Sequence, residues 1–218
     1  IGAMKTHMRA LHMSALQTAM NELSNHDHSR FLTRTNHRVG RISYAGAEAA
    51  SEGVNPAVMR EGVAIQMTWP GAPTVYYGDE AGLCGFTDPD NRRTYPWGRE
   101  DYQMIDFHRV MIRIHKQYEV LKTGSLAFLW NDYQGLAYAR FSRKEQMIVI
   151  VNNMDHAREV EVQLWQAGIS RLEDAKMERV VCTSAEGFTE APEVYTAAAG
   201  ILRMQMPAFG CVVLYHKN

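Results

Sequence analysis

Residues 70–85, PGAPTVYYGDEAGLCG, contain the segment that decides the fold. Residues 74–77, Thr-Val-Tyr-Tyr, are β-branched or aromatic and do not alternate with polar residues. Such a run is typical of a strand that is buried on both faces, as strands are in a parallel sheet. The acidic pair Asp79 and Glu80 follows soon after, where a parallel strand would pass into a loop. The segment therefore predicts α/β layering, in which helices cover a parallel sheet.

The segments on either side fit this layered arrangement. Asn55 and Pro56 predict the start of a helix, because an asparagine side chain caps a first turn and proline suits the first helical position. Residues 4–19 carry apolar side chains at near-helical spacing, and residues 101–122 carry a stronger apolar stripe. Residues 20–26 form a short strand candidate. The order of elements is helix, strand, helix, strand, helix.

After Gly124 the pattern changes to short strand-like segments, with no helix of comparable strength between them. In one of them Leu202 and Met204 alternate with Arg203 and Gln205, as in a strand with one buried face. The segments are residues 134–141, 146–152, 159–164, 178–182, 201–206 and 210–215. This pattern predicts an antiparallel β-sandwich. We therefore predict two domains, residues 1–123 and residues 124–218.

The first domain is too short to be a complete barrel. A closed eight-stranded α/β barrel takes roughly 250 residues, whereas 123 residues precede the predicted sandwich and hold two strand candidates. Two parallel strands cannot close a barrel. The first domain is therefore predicted to be the last part of a larger α/β fold.

Composition and charge exclude several classes of protein. A formal net charge of −1 over 218 residues gives no reason to expect a nucleic acid or an anionic membrane as partner. No run of 18 or more apolar residues occurs, so no membrane span is expected. The three cysteines are far apart and odd in number, which indicates neither a zinc knuckle nor a disulfide framework. Unpaired thiols favour a reducing compartment.

The motif NHDHSR lies where the first predicted strand ends, at the edge where active sites form in parallel α/β folds. Three interpretations are open from the residues alone. Asp27 is an N-cap or loop carboxylate paired with Arg30, or it is a catalytic carboxylate. The third interpretation is a metal site formed by His26, Asp27, His28 and His37, although His26 and His28 would alternate sides on a strand.

Three motifs resemble those of the α-amylase family. Residues 23–34, LSNHDHSRFLTR, resemble its fourth conserved region, and residues 70–85 resemble its eighth barrel strand with the following loop. Residues 87–97, TDPDNRRTYPW, resemble a loop of the neopullulanase, cyclomaltodextrinase and maltogenic amylase branch. The motifs occur in the family's order. The resemblance implies a fold class of α/β plus all-β: the C-terminal strands and helices of a TIM (β/α)8 barrel, followed by an antiparallel β-sandwich.

The resemblance also implies roles for individual residues. Asp27 matches the family's third carboxylate, a transition-state stabiliser that contacts sugar hydroxyls without attacking or donating a proton. His26 matches a histidine that hydrogen-bonds the same sugar. Asp88 and Arg92 match an Asp/Arg pair that contacts sugars further toward the non-reducing side, with a loop salt bridge as the alternative interpretation. No residue is assigned as a metal ligand. Calcium is common in the family, but this chain has no set of possible ligands with a convincing spacing.

The implied function is that of a retaining α-glucan hydrolase acting on maltodextrin-like or cyclodextrin substrates. The family's nucleophile and general acid lie on earlier strands, and no matching segment occurs in this chain, so we expect the missing elements to precede Ile1 and this chain to be inactive alone. The alternatives are an α-glucan transglycosylase as parent enzyme, or a non-catalytic carbohydrate-binding or interaction fragment. We expect an α-glucan oligosaccharide as ligand, no cofactor, self-association or a missing N-terminal half as partner, and a cytoplasmic location.

Overall fold

The computed structural model describes residues 2–218, apart from the side chains of His7 and Arg9. Ile1, the first residue of the predicted first domain, lies outside the described residues, and the domain boundary at residue 124 stays a prediction. No helix between residues 2 and 218 is long and apolar enough to cross a membrane. The helices are α1 (Gly2–Arg9), α2 (Met13–Thr18), α3 (Phe31–Arg34), α4 (Ile42–Ala45), α5 (Pro56–Thr68), α6 (Tyr102–Gln117) and α7 (Glu119–Thr123).

The strands fall into an N-terminal parallel pair and a C-terminal antiparallel group. The parallel pair is β1 (Met20–Asn21) and β2 (Ala72–Pro73). The antiparallel strands are β3 (Ser125–Asn131), β4 (Gly135–Phe141), β5 (Glu145–Asn152), β6 (Arg158–Gln163), β7 (Ala175–Thr183), β8 (Phe188–Thr189), β9 (Val194–Ala197), β10 (Ile201–Met206) and β11 (Gly210–Lys217). The chain forms part of an α/β fold followed by an antiparallel sandwich, which confirms the predicted fold class.

Helix α5 begins where the sequence predicts. The Asn55 Oδ1 atom accepts hydrogen bonds from the backbone N–H groups of Ala57 (2.9 Å) and Val58 (3.3 Å), and Pro56 takes the first helical position. Most residues of α5 are buried, on several sides of the helix. This burial places α5 in the interior, between the parallel strand pair and the C-terminal sheet.

Two predicted helices are each interrupted. The helix predicted over residues 4–19 is wrong in extent, because α1 ends at Arg9 and α2 begins at Met13. Leu11 between them stays exposed, so no packing surface offsets the cost of a continuous helix there. The helix predicted over residues 101–122 is broken at Tyr118, whose extended backbone lets its ring pack against Tyr215 with ring centroids 4.7 Å apart.

The two parallel strands differ from those predicted. Pairing of Met20 with Ala72 and of Asn21 with Pro73 covers only the first two residues of the strand predicted at residues 20–26. The strand predicted at residues 74–77 is wrong, because β2 ends at Pro73 and residues 74–77 form no strand. Each strand has a single neighbour among the described residues, so most backbone groups beyond this register have no sheet partner. The chain after β2 instead turns, and the Asp79 N–H donates to the Tyr76 carbonyl at 3.1 Å.

The C-terminal strands form two antiparallel sheets. The larger sheet has the order β3-β4-β5-β11-β7-β8, with β9 also paired to β7, and the smaller sheet is β10-β6. One face of the larger sheet, including Val149 and Val213, packs on α5 and α6. Its other face, including Ile150, packs on Leu202 of the smaller sheet. The antiparallel sandwich is confirmed, and its larger sheet is the middle of three layers.

Candidate active site

Two loops follow the parallel strands and meet at one edge. Residues 22–30 follow β1, and residues 74–93 follow β2. Because β1 and β2 are parallel, their following loops leave the same side of the pair. The Arg30 N–H donates to the Gly85 carbonyl at 2.9 Å, and the Gly85 N–H donates to Thr33 Oγ1 at 2.9 Å. These bonds join the two loops into one surface.

Two asparagines fix the path of the first loop. The Asn25 Oδ1 atom accepts hydrogen bonds from the N–H groups of Asp27 (2.9 Å) and His28 (3.1 Å). The fully buried Asn91, from the second loop, donates from Nδ2 to the carbonyls of Asn25 (3.1 Å) and His28 (2.8 Å). The backbone on each side of residues 26 and 27 is thereby tied to the second loop.

Arg30 braces the two loops from beneath. It is 0% exposed, and its guanidinium donates to the Asn91 carbonyl (2.9 Å), the Tyr77 carbonyl (2.7 Å) and Asp79 Oδ1 (3.0 Å). The ring of Tyr76 lies 4.5 Å from the same guanidinium, close enough for a cation–π contact. Arg30 therefore pairs with Asp79, and the interpretation that pairs Arg30 with Asp27 is wrong.

The two acidic residues that follow β2 are turned into the protein. Asp79 is buried, and this burial raises its pKa, although hydrogen bonds from Ser24 and Arg30 oppose the shift. The Oε2 atom of Glu80 is buried and has no hydrogen-bond partner among the described residues. Asp79 is thus enclosed and Glu80 is partly buried, so neither is as open on this surface as Asp27.

Asp27 and His26, in contrast, project outward. Their side chains are 69% and 61% exposed, and His26 Nε2 lies 3.5 Å from Asp27 Oδ1. The loop backbone is anchored on both sides of these two residues, and both side chains remain open to solvent. An exposed carboxylate beside an imidazole offers a ligand one strong acceptor and one group that can donate or accept.

The Asp88–Arg92 pair stands on the neighbouring loop. The Arg92 Nε atom donates to Asp88 Oδ1, and both side chains are about half exposed. The pKa of Arg92 is raised, first by its hydrogen bond with Asp88 and further by the nearby negative charges that Tyr76 and Asp27 carry when ionised. The four site residues predicted from the sequence thus lie on adjoining loops at one edge. Whether they bind sugar stays a prediction.

The metal interpretation of His26, Asp27, His28 and His37 finds no support. Among the side chains that the structure describes, no group of three or more His, Cys, Asp or Glu is arranged to hold a metal ion. Sequence reasoning missed Asn91 altogether, because its partners lie 63 and 66 positions earlier in the chain.

Comparison with known proteins places this geometry in a family. Residues 2–170 match the family model described as alpha amylase, catalytic domain. The chain is 36% identical over 158 residues to an amylopullulanase of Thermoanaerobacter thermohydrosulfuricus, covering 66% of this chain and 10% of that protein. It is 32% identical over 158 residues to neopullulanase 2 of Thermoactinomyces vulgaris, covering 71% of this chain and 24% of that protein.

The fold has solved counterparts as well. An α-amylase from Geobacillus thermoleovorans, solved in complex with acarbose, superposes with a TM-score of 0.70 at 18% identity, covering 93% of this chain and 39% of that chain. The present chain therefore spans well under half the length of each of these proteins.

Proposed function

This chain belongs to the α-amylase family of glycoside hydrolases, and we propose that its Asp27 loop forms part of the sugar-binding site of a retaining α-glucan hydrolase. The observation that carries the proposal is the exposure of His26 and Asp27 on a loop anchored at both sides by Asn91. A binding site needs polar groups that are held rigidly and left open to the ligand.

In this proposal Asp27 acts on the sugar ring and neither attacks nor donates a proton. Its carboxylate accepts hydrogen bonds from ring hydroxyls, and these bonds strengthen as the ring takes on oxocarbenium character. His26, 3.5 Å away, contacts the same sugar. Asp88 and Arg92 on the adjoining loop contact the next part of an oligosaccharide.

Hydrolysis needs groups that these residues do not supply. A retaining glycosidase uses a nucleophile and a general acid about 5 Å apart. The family's motifs for both are not found in residues 1–218, and Asp79 and Glu80 are turned inward. We propose that the 218 residues bind α-glucan without cleaving it, and that cleavage needs a further barrel segment.

Asp27→Asn tests the sugar-binding role. We expect about ten-fold weaker binding of acarbose, because an amide cannot replace a carboxylate that accepts hydrogen bonds from hydroxyls. Isothermal titration of the chain with acarbose and with maltoheptaose measures the change, and a reducing-sugar assay on the same samples should show no cleavage. The matched control is Asp155→Asn, an exposed aspartate that also lies beside a histidine, with His156 Nδ1 at 2.8 Å. Equal affinities for the two variants would sink the proposal.

The open strand pair predicts self-association. Met20 in β1 is 64% exposed, and the β1–β2 pair has no further strand beside it among the described residues. An exposed apolar surface beside an unpaired strand edge favours pairing with another chain. We expect light scattering to show dimers or larger species, and Met20→Lys to shift the chain toward monomer. Leu172→Lys, at a still more exposed position (94%) in the C-terminal part, should leave the distribution unchanged. A stable monomer at high concentration would contradict this expectation.

A further inference from the structure

A ligand-sized cleft lies between α5 and the turn that joins β3 to β4. We name it the hairpin cleft; it is lined by residues 131–136 of the turn, by Glu61 and Ile65 of α5, and by Asn153. Its volume is about 350 Å³, near the lower end of the roughly 300–1,000 Å³ range of small-ligand sites. None of the four predicted site residues lines it.

The turn that forms one wall is held by its own hydrogen bonds. The Gln134 N–H donates to Asp132 Oδ1 at 3.0 Å, and the Asn153 N–H donates to the Gln134 carbonyl at 2.8 Å. Arg158 binds the carboxylate of Asp132. Tyr133 stands at the tip of this braced turn with 97% of its surface exposed. An aromatic ring is thus presented at the rim by a backbone that is already fixed.

Glu61 forms the opposite wall and is only 4% exposed. Its Oε1 atom has no hydrogen-bond partner among the described residues. The adjacent Arg60 is directed elsewhere, since its guanidinium donates to the carbonyls of Ser184 (2.9 Å) and Ala185 (3.1 Å). A buried polar atom without a partner is unfavourable. Glu61 therefore leaves hydrogen-bonding capacity unused at the wall of the cleft.

The two carboxyl groups that line the cleft are either protonated or paired with a cation. Burial raises the pKa of Glu61 to about 9, so its carboxyl is protonated at neutral pH and can both donate and accept. The charge of Asp132 is neutralised by Arg158. Among the described residues that line the cleft there is no Lys, Arg or His. An anion would find no cationic side chain among these lining residues, and the Asp132 carboxylate at the rim is already paired with Arg158.

The remaining rim groups are amides. The side-chain amides of Asn131, Gln134 and Asn153 form no hydrogen bond with any side chain or backbone group that the structure describes, and all three line the cleft. Ile65 gives one side of the cleft an apolar surface. Amides and a neutral carboxyl pair with hydroxyl groups, while an aromatic ring and aliphatic side chains cover the C–H faces of a ring. An entirely apolar ligand would leave these polar groups without partners.

We propose that the hairpin cleft binds a neutral oligosaccharide, with Tyr133 against a sugar face and Glu61 bonded to a hydroxyl. This inference goes beyond the proposed function, because it places a second carbohydrate site on the sandwich side of α5. A chain with two such sites would hold a polymeric glucan at two points, which raises its effective affinity.

The first test follows the amide resonances of residues 131–135 by NMR while maltoheptaose is added to the 218-residue chain, with cellopentaose as a second neutral probe. We expect these resonances to shift with either or both sugars, and to shift equally in the Asp27→Asn variant. Tyr133→Ala should weaken the binding read at these resonances about five-fold, as loss of an aromatic anchor does. Tyr102→Ala, an exposed tyrosine outside the cleft, is the matched control.

Two changes at Glu61 separate binding from folding. Glu61→Gln keeps one donor and one acceptor, and we expect binding within about two-fold of the parent chain. Glu61→Leu removes both, and we expect about ten-fold weaker binding, together with a higher unfolding temperature. Weaker binding in a more stable variant cannot be the result of unfolding.

The outcomes distinguish this inference from the proposed function. Absence of shifts at residues 131–135 with both sugars, or unchanged affinity in Tyr133→Ala, overturns the hairpin-cleft proposal and leaves the Asp27 site standing. Shifts at residues 131–135 with no effect of Asp27→Asn on acarbose binding support the cleft and count against the Asp27 proposal.

Discussion

Replacing Arg140 with methionine is expected to lower the free energy of unfolding by about 4 kcal/mol. Arg140 lies in β4 with 0% exposure, and its guanidinium donates to the carbonyls of Thr68 (3.0 Å), Leu121 (2.8 Å) and Gly124 (2.9 Å). These three acceptors come from the end of α5, from α7 and from the residue before β3. One side chain thus joins the helical part to the sandwich.

The size of the effect follows from the groups left behind. Methionine occupies much of the arginine's volume but donates no hydrogen bond, so three carbonyls lose a donor from a charged group in a buried place. Each unsatisfied buried acceptor costs about 1–3 kcal/mol. Burial lowers the pKa of Arg140 to about 10, so the guanidinium is still charged at neutral pH and its bonds are charge-assisted.

Urea denaturation and thermal unfolding measure this change. For a chain of this size we expect the unfolding temperature to fall by about 10 °C. The matched control is Arg203→Met, whose exposed side chain is paired with Glu161 at 2.8 Å, and whose loss should cost less than about 1 kcal/mol. Equal destabilisation by the two variants would show that Arg140 does not join the two parts.

Replacing Glu61 with glutamine is expected to stabilise the chain by about 3 kcal/mol at pH 7. Burial raises the pKa of this carboxyl from 4.5 to about 9, and the charge of Arg60 opposes the shift. The Cys211 thiol on β11 is the other titratable group whose pKa responds to Glu61. At pH 7 the folded state keeps the proton that the unfolded state releases, so folding carries a cost that glutamine avoids.

The stability gained with glutamine depends on pH. Below the ordinary value of 4.5 both states hold the proton, and the variant and the parent chain should be equally stable. Between pH 4.5 and about 9 the unfolded parent chain is increasingly ionised, so the parent loses stability and the advantage of glutamine grows by about 1.4 kcal/mol per pH unit. Above the folded-state pKa both states are ionised and the advantage levels off.

Urea unfolding at pH 5, 7 and 8 measures this slope, because these pH values lie within the roughly linear window. Glu173→Gln, at an exposed position of the sandwich, should show no such slope. A constant difference between parent and Glu61→Gln across these pH values would mean that the carboxyl ionises normally in the folded chain. Since glutamine keeps the hydrogen-bonding groups of the hairpin cleft, the sugar affinity of this variant should change little.

Local signals in the sequence were sufficient for several elements. The cap and proline at residues 55 and 56 predicted the start of α5, and the alternation in residues 201–206 predicted β10. Each of these signals involves residues only a few positions apart, so a local sequence pattern is enough to predict the element. The family was also readable from three short motifs, and the family model over residues 2–170 confirms it.

The extents of β1 and β2 were decided by tertiary structure. A strand persists only while a neighbour supplies hydrogen bonds, and here pairing stops after two residues on each side. The unpredicted β3 and β9 are strands for the opposite reason, because β4 and β7 lie beside them. Whether an extended segment becomes a strand depends on partners that a local pattern does not contain.

The sequence by itself determined the type of fold and the family, since short motifs carry both; the sugar-contacting role of its four site residues stays a prediction. Only the tertiary structure decided which charges are paired and which are presented. Arg30 bonds to Asp79, which is 49 positions further along the chain. It does not bond to Asp27, which lies only three positions before Arg30 and stays exposed. The physical reason is that burial and hydrogen-bond partners depend on distances in space, and the folded chain sets these without regard to sequence separation.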